Sequence, residues 1–337
     1  MIEEASIDEL TAFRCGNAQD SQGGYGCTVV IAPDGATCGV DVRGGGPATR
    51  ETDLLRPENM IEAVHAVVLS GGSAFGLEAS TGVAEELAER GIGFRLGEAC
   101  VPIVVGACLF DLLVGKPGHP NATMGRAAAR AALDGTAAFS EGDVGAGCGA
   151  TVGKLLEPDR AMKSGLGMAA LRSGDLVVGA VVAVNALGHV RDEAGTWIAG
   201  CRDDEGYVMD PLAACEKALL GDGAPAADAA AGPCANTTIG VVLTNAQITK
   251  AQATKTASVA HDAYARAIKP VHTLNDGDTI FAYASGGVPA APDAVSVLAA
   301  EVMQHAVVRA VRSSRGGFGL PAARDLPVIP GQSPRQR

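Results

Sequence analysis

Two short β-branched runs, residues 27–31 and 37–42, flank Pro33-Asp34-Gly35, a spacing that predicts an early hairpin. Arg43-Gly44-Gly45-Gly46-Pro47 then imposes a loop. Residues 61–69 are apolar and run into Ser70-Gly71-Gly72-Ser73-Ala74-Phe75-Gly76, after which Leu77, Ala79, Val83, Ala84 and Leu87 recur at helical spacing. That order predicts a strand, a glycine turn and a helix. Residues 101–110 are too continuously apolar for a strand with one wet face, and residues 125–133 carry an alanine-rich helical pattern with Arg126 and Arg130 one turn apart. A glycine-rich stretch over 142–153 precedes a central strand over 176–184, which ends in Asn185-Ala186-Leu187-Gly188. Residues 221–233 hold two prolines and few side chains able to pack, the composition of a mobile surface linker. A strand over 237–244, a helix over about 249–268 stopped by Pro270, a strand over 279–284 opened by Asp276-Gly277-Asp278, and a last helix over about 292–312 complete the order. No internal repeat interrupts this mixed α/β pattern.

Composition narrows the picture. The 337 residues are 47% hydrophobic but only 4% aromatic, with 45 glycines, so the core must be built from small aliphatic side chains packed closely. A net charge of -12 argues against nucleic acid or an anionic membrane as partner, because both need clustered Lys and Arg. The nine cysteines are scattered with no C-x-x-C pair, which suits a reducing compartment. The N-terminus lacks the basic-then-apolar pattern of a signal peptide, and the apolar runs 101–110 and 176–184 fall short of the roughly 20 residues that span a bilayer. A cytoplasmic protein is expected.

No cofactor or metal is expected. Gly145-Ala146-Gly147-Cys148-Gly149-Ala150 lacks the last glycine of a dinucleotide fingerprint, and Gly153-Lys154 has Leu155 where a phosphate loop needs Ser or Thr. Gly72-Ser73-Ala74-Phe75 lacks the second glycine of a hydrolase elbow, so Ser73 reads as a helix cap. The six histidines show no metal-ligand spacing, and none stands at a suggestive interval from an acidic partner.

The stretch Asn236-Thr237-Thr238-Ile239-Gly240-Val241-Val242-Leu243-Thr244 differs in kind. An ordinary strand after a loop is one reading of it. The other is a bond cut by the protein itself: an N-to-O acyl shift at Asn236-Thr237 would make Thr237 a new N-terminus, with hydroxyl nucleophile and amine base in one residue. An α-amine with a pKa of about 7.7 to 8.0 is partly neutral at pH 7 and can take the hydroxyl proton. Such a centre needs an oxyanion donor, for which Asn185 at the end of a buried strand is suited. It also needs a charged network, for which Lys154, Asp276 and Asp278 stand at strand ends.

That stretch, with His272-Thr273-Leu274-Asn275-Asp276-Gly277-Asp278-Thr279, resembles the DmpA-type family of self-processing aminopeptidases and amidases, which includes nylon-oligomer hydrolases. The resemblance extends to Asp41-Val42-Arg43-Gly44-Gly45, to residues 69–78, to Val101-Pro102-Ile103-Val104 with Phe110-Asp111-Leu112, and to Gly145-Ala146-Gly147 with Gly153-Lys154. It implies a four-layered αββα sandwich, a single domain cut into residues 1–236 and 237–337, and a homo-oligomer, often a tetramer. By the same likeness Thr237 is the nucleophile, Asn185 an oxyanion donor, and Lys154, Asp276 and Asp278 the surrounding network. The implied activity is hydrolysis of N-terminal residues of short peptides or of other small amides. Gly71, Gly72, Cys108 and Phe110 fall in the substrate pocket, with Cys108 and Phe110 where aminopeptidase members carry Glu and Tyr. Without that carboxylate an ammonium group loses its charge-assisted bond. Asp111 does not replace it if the strand continues, because adjacent side chains point to opposite faces. An acyltransferase on the same scaffold, as in ornithine acetyltransferases, and an uncleaved binding subunit are the alternatives.

Overall fold

The computed structural model of the chain describes residues 1–136, 138–220 and 236–326; the linker read over 221–233 lies outside the described residues. Ten strands join in one hydrogen-bonded sheet, and Tyr25–Val42 is shared between its two leaves. Residues 25–31 pair with Arg14–Asp20 and Val64–Ser70, and Val104–Cys108 and Ala48–Arg50 extend that leaf. Residues 37–42 pair instead with Thr279–Pro289, followed outward by Thr237–Gln247, Leu176–Asn185, Leu166–Ser173 and Ile2–Glu4.

The hairpin expected across Pro33-Asp34-Gly35 is therefore not formed. Gly35 takes φ +76° and the register with Val64–Ser70 shifts between Ile31 and Ala36, so these residues make an irregularity in one continuous strand.

Apolar side chains separate into three principal interfaces. Val67, Leu69 and Val105 of the first leaf face Val181, Ile239, Val241 and Phe281 of the second. Outside the first leaf, Val29, Ile31 and Val68 pack on helices Glu78–Glu89 and Ala122–Leu133. Outside the second, Val178, Val182, Val242 and Ile280 pack on helices Lys250–Ala267 and Pro292–Ser313. Helix, sheet, sheet and helix make the four-layered αββα sandwich. Each buried Val or Leu contributes roughly 1.5–3 kcal/mol. Ala253, Ala257, Ala260 and Ala263 turn one face of their helix to the sheet, and such small side chains let it lie close. This accounts for a core so poor in aromatics. The helix Pro292–Ser313 is long and apolar enough, by length and composition, to cross a membrane, yet most of it is buried inside the protein.

The helix Lys250–Ala267 joins two parallel strands, Thr237–Gln247 and Thr279–Pro289. Its start is held by Thr249, whose hydroxyl accepts the Gln252 N–H at 3.3 Å while the Gln252 side chain accepts the Thr249 N–H at 2.8 Å. Parallel pairing brings residues 237 and 279 to the same end of the sheet. The antiparallel neighbour Leu176–Asn185 finishes there too, with Asn185 opposite Thr237.

Candidate active site

Ile239, Val241 and Leu243 face the space between the leaves, as do Val181 and Ala183. By strand alternation Thr237 and Asn185 project into that same space, at its end. Both are buried, Thr237 at 2% exposure and Asn185 at 0%. The Thr237 hydroxyl donates to the carbonyl oxygen of Asn236. The N–H of Gly277 donates to the same oxygen at 3.0 Å. Thus the carbonyl of the Asn236–Thr237 bond is polarised by a backbone donor while the next side chain's hydroxyl lies against it.

Gly277 sits where a side chain could not. A Cβ there would lie 2.7 Å from Thr237 Oγ1 and 3.1 Å from the carbonyl oxygen of Gly46. The two carboxylates beside it are bound by backbone N–H groups. Asp278 Oδ1 accepts from Thr238 at 2.7 Å, and its Oδ2 accepts from His272 at 3.1 Å. Asp276 Oδ2 accepts from Thr273 at 2.6 Å. The loop rests on the end of Tyr25–Val42, where Arg43 and Gly46 donate N–H groups to the carbonyls of Asp278 and Asp276 at 2.9 and 2.8 Å. Burial, and then the neighbouring Asp278, raise the Asp276 pKa against the opposing bonds from Thr273 and the charge of Lys154.

Thr151, near the end of the glycine-rich stretch 142–153, and Lys154, just after it, both reach Asn185. Lys154 Nζ donates to Asn185 Oδ1 at 2.9 Å and to its carbonyl at 3.1 Å, while the Thr151 N–H donates to Oδ1 at 3.1 Å. The Asn185 amide donates in turn to the Phe110 carbonyl at 2.8 Å, tying the second leaf to the first. Burial pushes the Lys154 ammonium down to about 7, opposed by Asp276, Asp111 and Asp278. A neutral amine keeps two hydrogens, enough for both bonds to Asn185.

Six residues singled out from sequence, Asn236, Thr237, Asn185, Lys154, Asp276 and Asp278, are brought together by these bonds and strand pairings. The pocket residues are less open than a pocket implies. Gly71, Gly72 and Cys108 are buried, Cys108 pairs with Ser70 inside the sheet, and burial pushes its thiol well up. Phe110 is partly exposed and joins the site through its carbonyl.

Three readings need correction. Ser73 caps nothing with its side chain: it lies inside the short 3-10 turn Ser73–Leu77 at φ +53°, and the helix after it starts at Glu78. Asp111 is not placed by strand alternation, because the strand ends at Cys108. Its Oδ1 accepts the Gly72 N–H at 2.7 Å, and burial pushes its carboxyl up to about 7 against that bond and the charges of Lys163 and Lys154. Finally, a histidine does meet an acid: His272 Nδ1 lies 2.8 Å from Asp278 Oδ2. Gly277 and Thr151 were also missed; the one available signal was a glycine between two aspartates.

The profile of peptidase family S58 matches residues 9–317. An uncharacterized aminopeptidase of Mycobacterium tuberculosis is 39% identical over 350 residues, covering 95% of this chain and 97% of that protein. A 6-aminohexanoate-oligomer endohydrolase of Agromyces sp. is 33% identical over 310 residues, covering 88% and 82%. Among solved structures, a Burkholderia sp. β-aminopeptidase superposes with a TM-score of 0.64 over 96% of this chain and 91% of its own, at 20% identity. The L-aminopeptidase D-Ala-esterase/amidase of Ochrobactrum anthropi, described as a variant of the Ntn hydrolase fold, superposes at 0.61 over 92% and 87%, at 16% identity. At these identities the two structures speak to the fold alone, whereas the profile and the long sequence matches establish kinship: the chain belongs to peptidase family S58 and is a hydrolase.

Proposed function

We propose that the chain cuts itself between Asn236 and Thr237 and then hydrolyses small amides with Thr237 as nucleophile. The observation that carries this reading is the scissile carbonyl itself, bonded by the Gly277 N–H and touched by the Thr237 hydroxyl. In the first reaction Thr237 Oγ1 attacks the Asn236 carbonyl carbon and the hydroxyl proton passes to the departing Thr237 nitrogen. An ester to Oγ1 forms as the amide breaks. Water then cleaves the ester, leaving a carboxylate on Asn236 and a free amine on Thr237. Gly277 N–H supports the oxyanion of this step, a kind of contact worth roughly 2.7–4 kcal/mol.

In turnover, the Thr237 amine takes its own hydroxyl proton, Oγ1 attacks the substrate carbonyl, and the leaving amine takes the proton. Water resolves the acyl-enzyme. Asn185 spends one of its two amide hydrogens on Phe110 and offers the other to the oxyanion. Asp278 and Asp276 hold the strand start, and Lys154 orients Asn185 and sets the local charge.

Substrates are taken to be short peptides at their N-terminal residue or other small amides. This draws on relatives named as an aminopeptidase and as an oligomer endohydrolase. A homo-oligomer in the cytoplasm completes the reading; its compartment, though not its assembly, draws on eight cysteines free among the described residues. Denaturing electrophoresis tests the cut. Wild type should give two unequal fragments and Thr237→Ala one intact band, whereas a persistently intact wild-type chain would refute it.

A further inference from the structure

Asp278 is the point where the loop 272–278 touches the nucleophile's strand, and its two oxygens do different work. Oδ1 accepts the N–H of Thr238, the residue after the nucleophile, at 2.7 Å. Oδ2 accepts the backbone N–H of His272 at 3.1 Å and faces its ring Nδ1 at 2.8 Å. A carboxylate only accepts, so the ring nitrogen facing it carries the hydrogen. Asp278 is 1% exposed, which leaves the bond little competition from water.

The histidine is held in place from several sides. Its backbone takes φ +57°, a left-handed conformation uncommon outside glycine, and this local fold brings residues 272 and 278 together. Its ring lies edge-on to His261, with centroids 4.8 Å apart, and 6.1 Å from Tyr264. His261 in turn faces the Asp41 carbonyl through Nε2 at 3.0 Å, and burial pushes its imidazole down to about 4, keeping it neutral. Among the described residues, His272 Nε2 is buried without a hydrogen-bond partner. The ring's polar contact is thus the one to Asp278.

We propose that His272 is a positioning residue of the self-cleavage centre: its Nδ1–H fixes the Asp278 carboxylate in the rotamer that grips Thr238 N–H, and so sets Thr237 against the Asn236 carbonyl. This rests on Thr237 being the nucleophile.

The test compares two substitutions that place an amide donor differently. Asn presents its Nδ2 where the histidine carries Nδ1, while Gln carries its donor one bond further out. His272→Asn should cleave within a few-fold of wild type, and His272→Gln should cleave about 10- to 100-fold more slowly, the range expected for losing a hydrogen bond to a charged group. Asn also tolerates the left-handed backbone better than Gln. Melting temperatures and a His272→Gly variant, which relieves the backbone but supplies no donor, separate that effect. His272→Gly should be as slow as His272→Gln. Equal rates for Asn and Gln, or a Gly variant as fast as wild type, would overturn the assignment. A wild-type chain that yields no fragment beginning at Thr237 would instead bring down the nucleophile reading itself.

Discussion

Gly277→Ala places a methyl group at the most crowded point of the centre. The new Cβ would lie 2.7 Å from Thr237 Oγ1 and 3.2 Å from its Cγ2, where ordinary contact begins at 3.4 Å. Thr237 is 2% exposed and its strand is paired on both sides, so neither partner retreats freely. Relief needs a relative shift of about 0.7 Å between Oγ1 and residue 277. Overpacking of this kind costs about 1–3 kcal/mol of stability. Displacing a reacting atom by about 1 Å can cost on the order of 100-fold in rate. The two effects have different readouts. A time course of fragment appearance on denaturing gels should show self-cleavage slowed about 100-fold, while thermal unfolding shows a chain that is still folded. Cleavage at the wild-type rate in a folded Gly277→Ala chain would refute the placement of the scissile carbonyl against residue 277.

Two further predictions concern pH. Lys154 is pushed down to about 7 by burial, so its neutral form dominates above that pH. Because Lys154 holds Asn185 and sets the charge beside it, amide turnover should change across about pH 7 as that charge is lost, and Lys154→Met should be slow and lack that change; an unchanged profile in the variant would contradict the role. Asp111, pushed up from 3.8 to about 7, binds an extra proton when folded, so its contribution falls as pH rises from about 4 to about 7. Asp111→Asn, measured by denaturant unfolding across that window, should lose less stability than wild type, with a difference on the order of 4 kcal/mol; parallel curves would show that Asp111 stays ionised.

Much of this architecture was readable because burial leaves a plain signature. The runs 176–184 and 237–244 are continuously apolar or β-branched because both faces of those strands are covered, one by helices and one by the opposite leaf. Tyr25–Val42 defeated the reading for a physical reason: Pro33-Asp34-Gly35 has turn chemistry, but each half of the strand has its own partners, and those lie elsewhere in the chain. Local propensity cannot report pairing with Thr279–Pro289. The centre divides in the same way. Thr237, Asn185 and Asp278 stand at strand ends and were found there. His272 escaped because its contact with Asp278 depends on one left-handed residue, and Asp111 because a strand stops two residues earlier than its apolar run suggests.

The central claim is that Thr237 becomes an N-terminus. N-terminal sequencing of the smaller fragment from freshly purified protein tests it most directly. The predicted result is Thr-Thr-Ile-Gly-Val, the sequence from Thr237 onward. A fragment starting at any other residue, or a chain that stays whole, would contradict it.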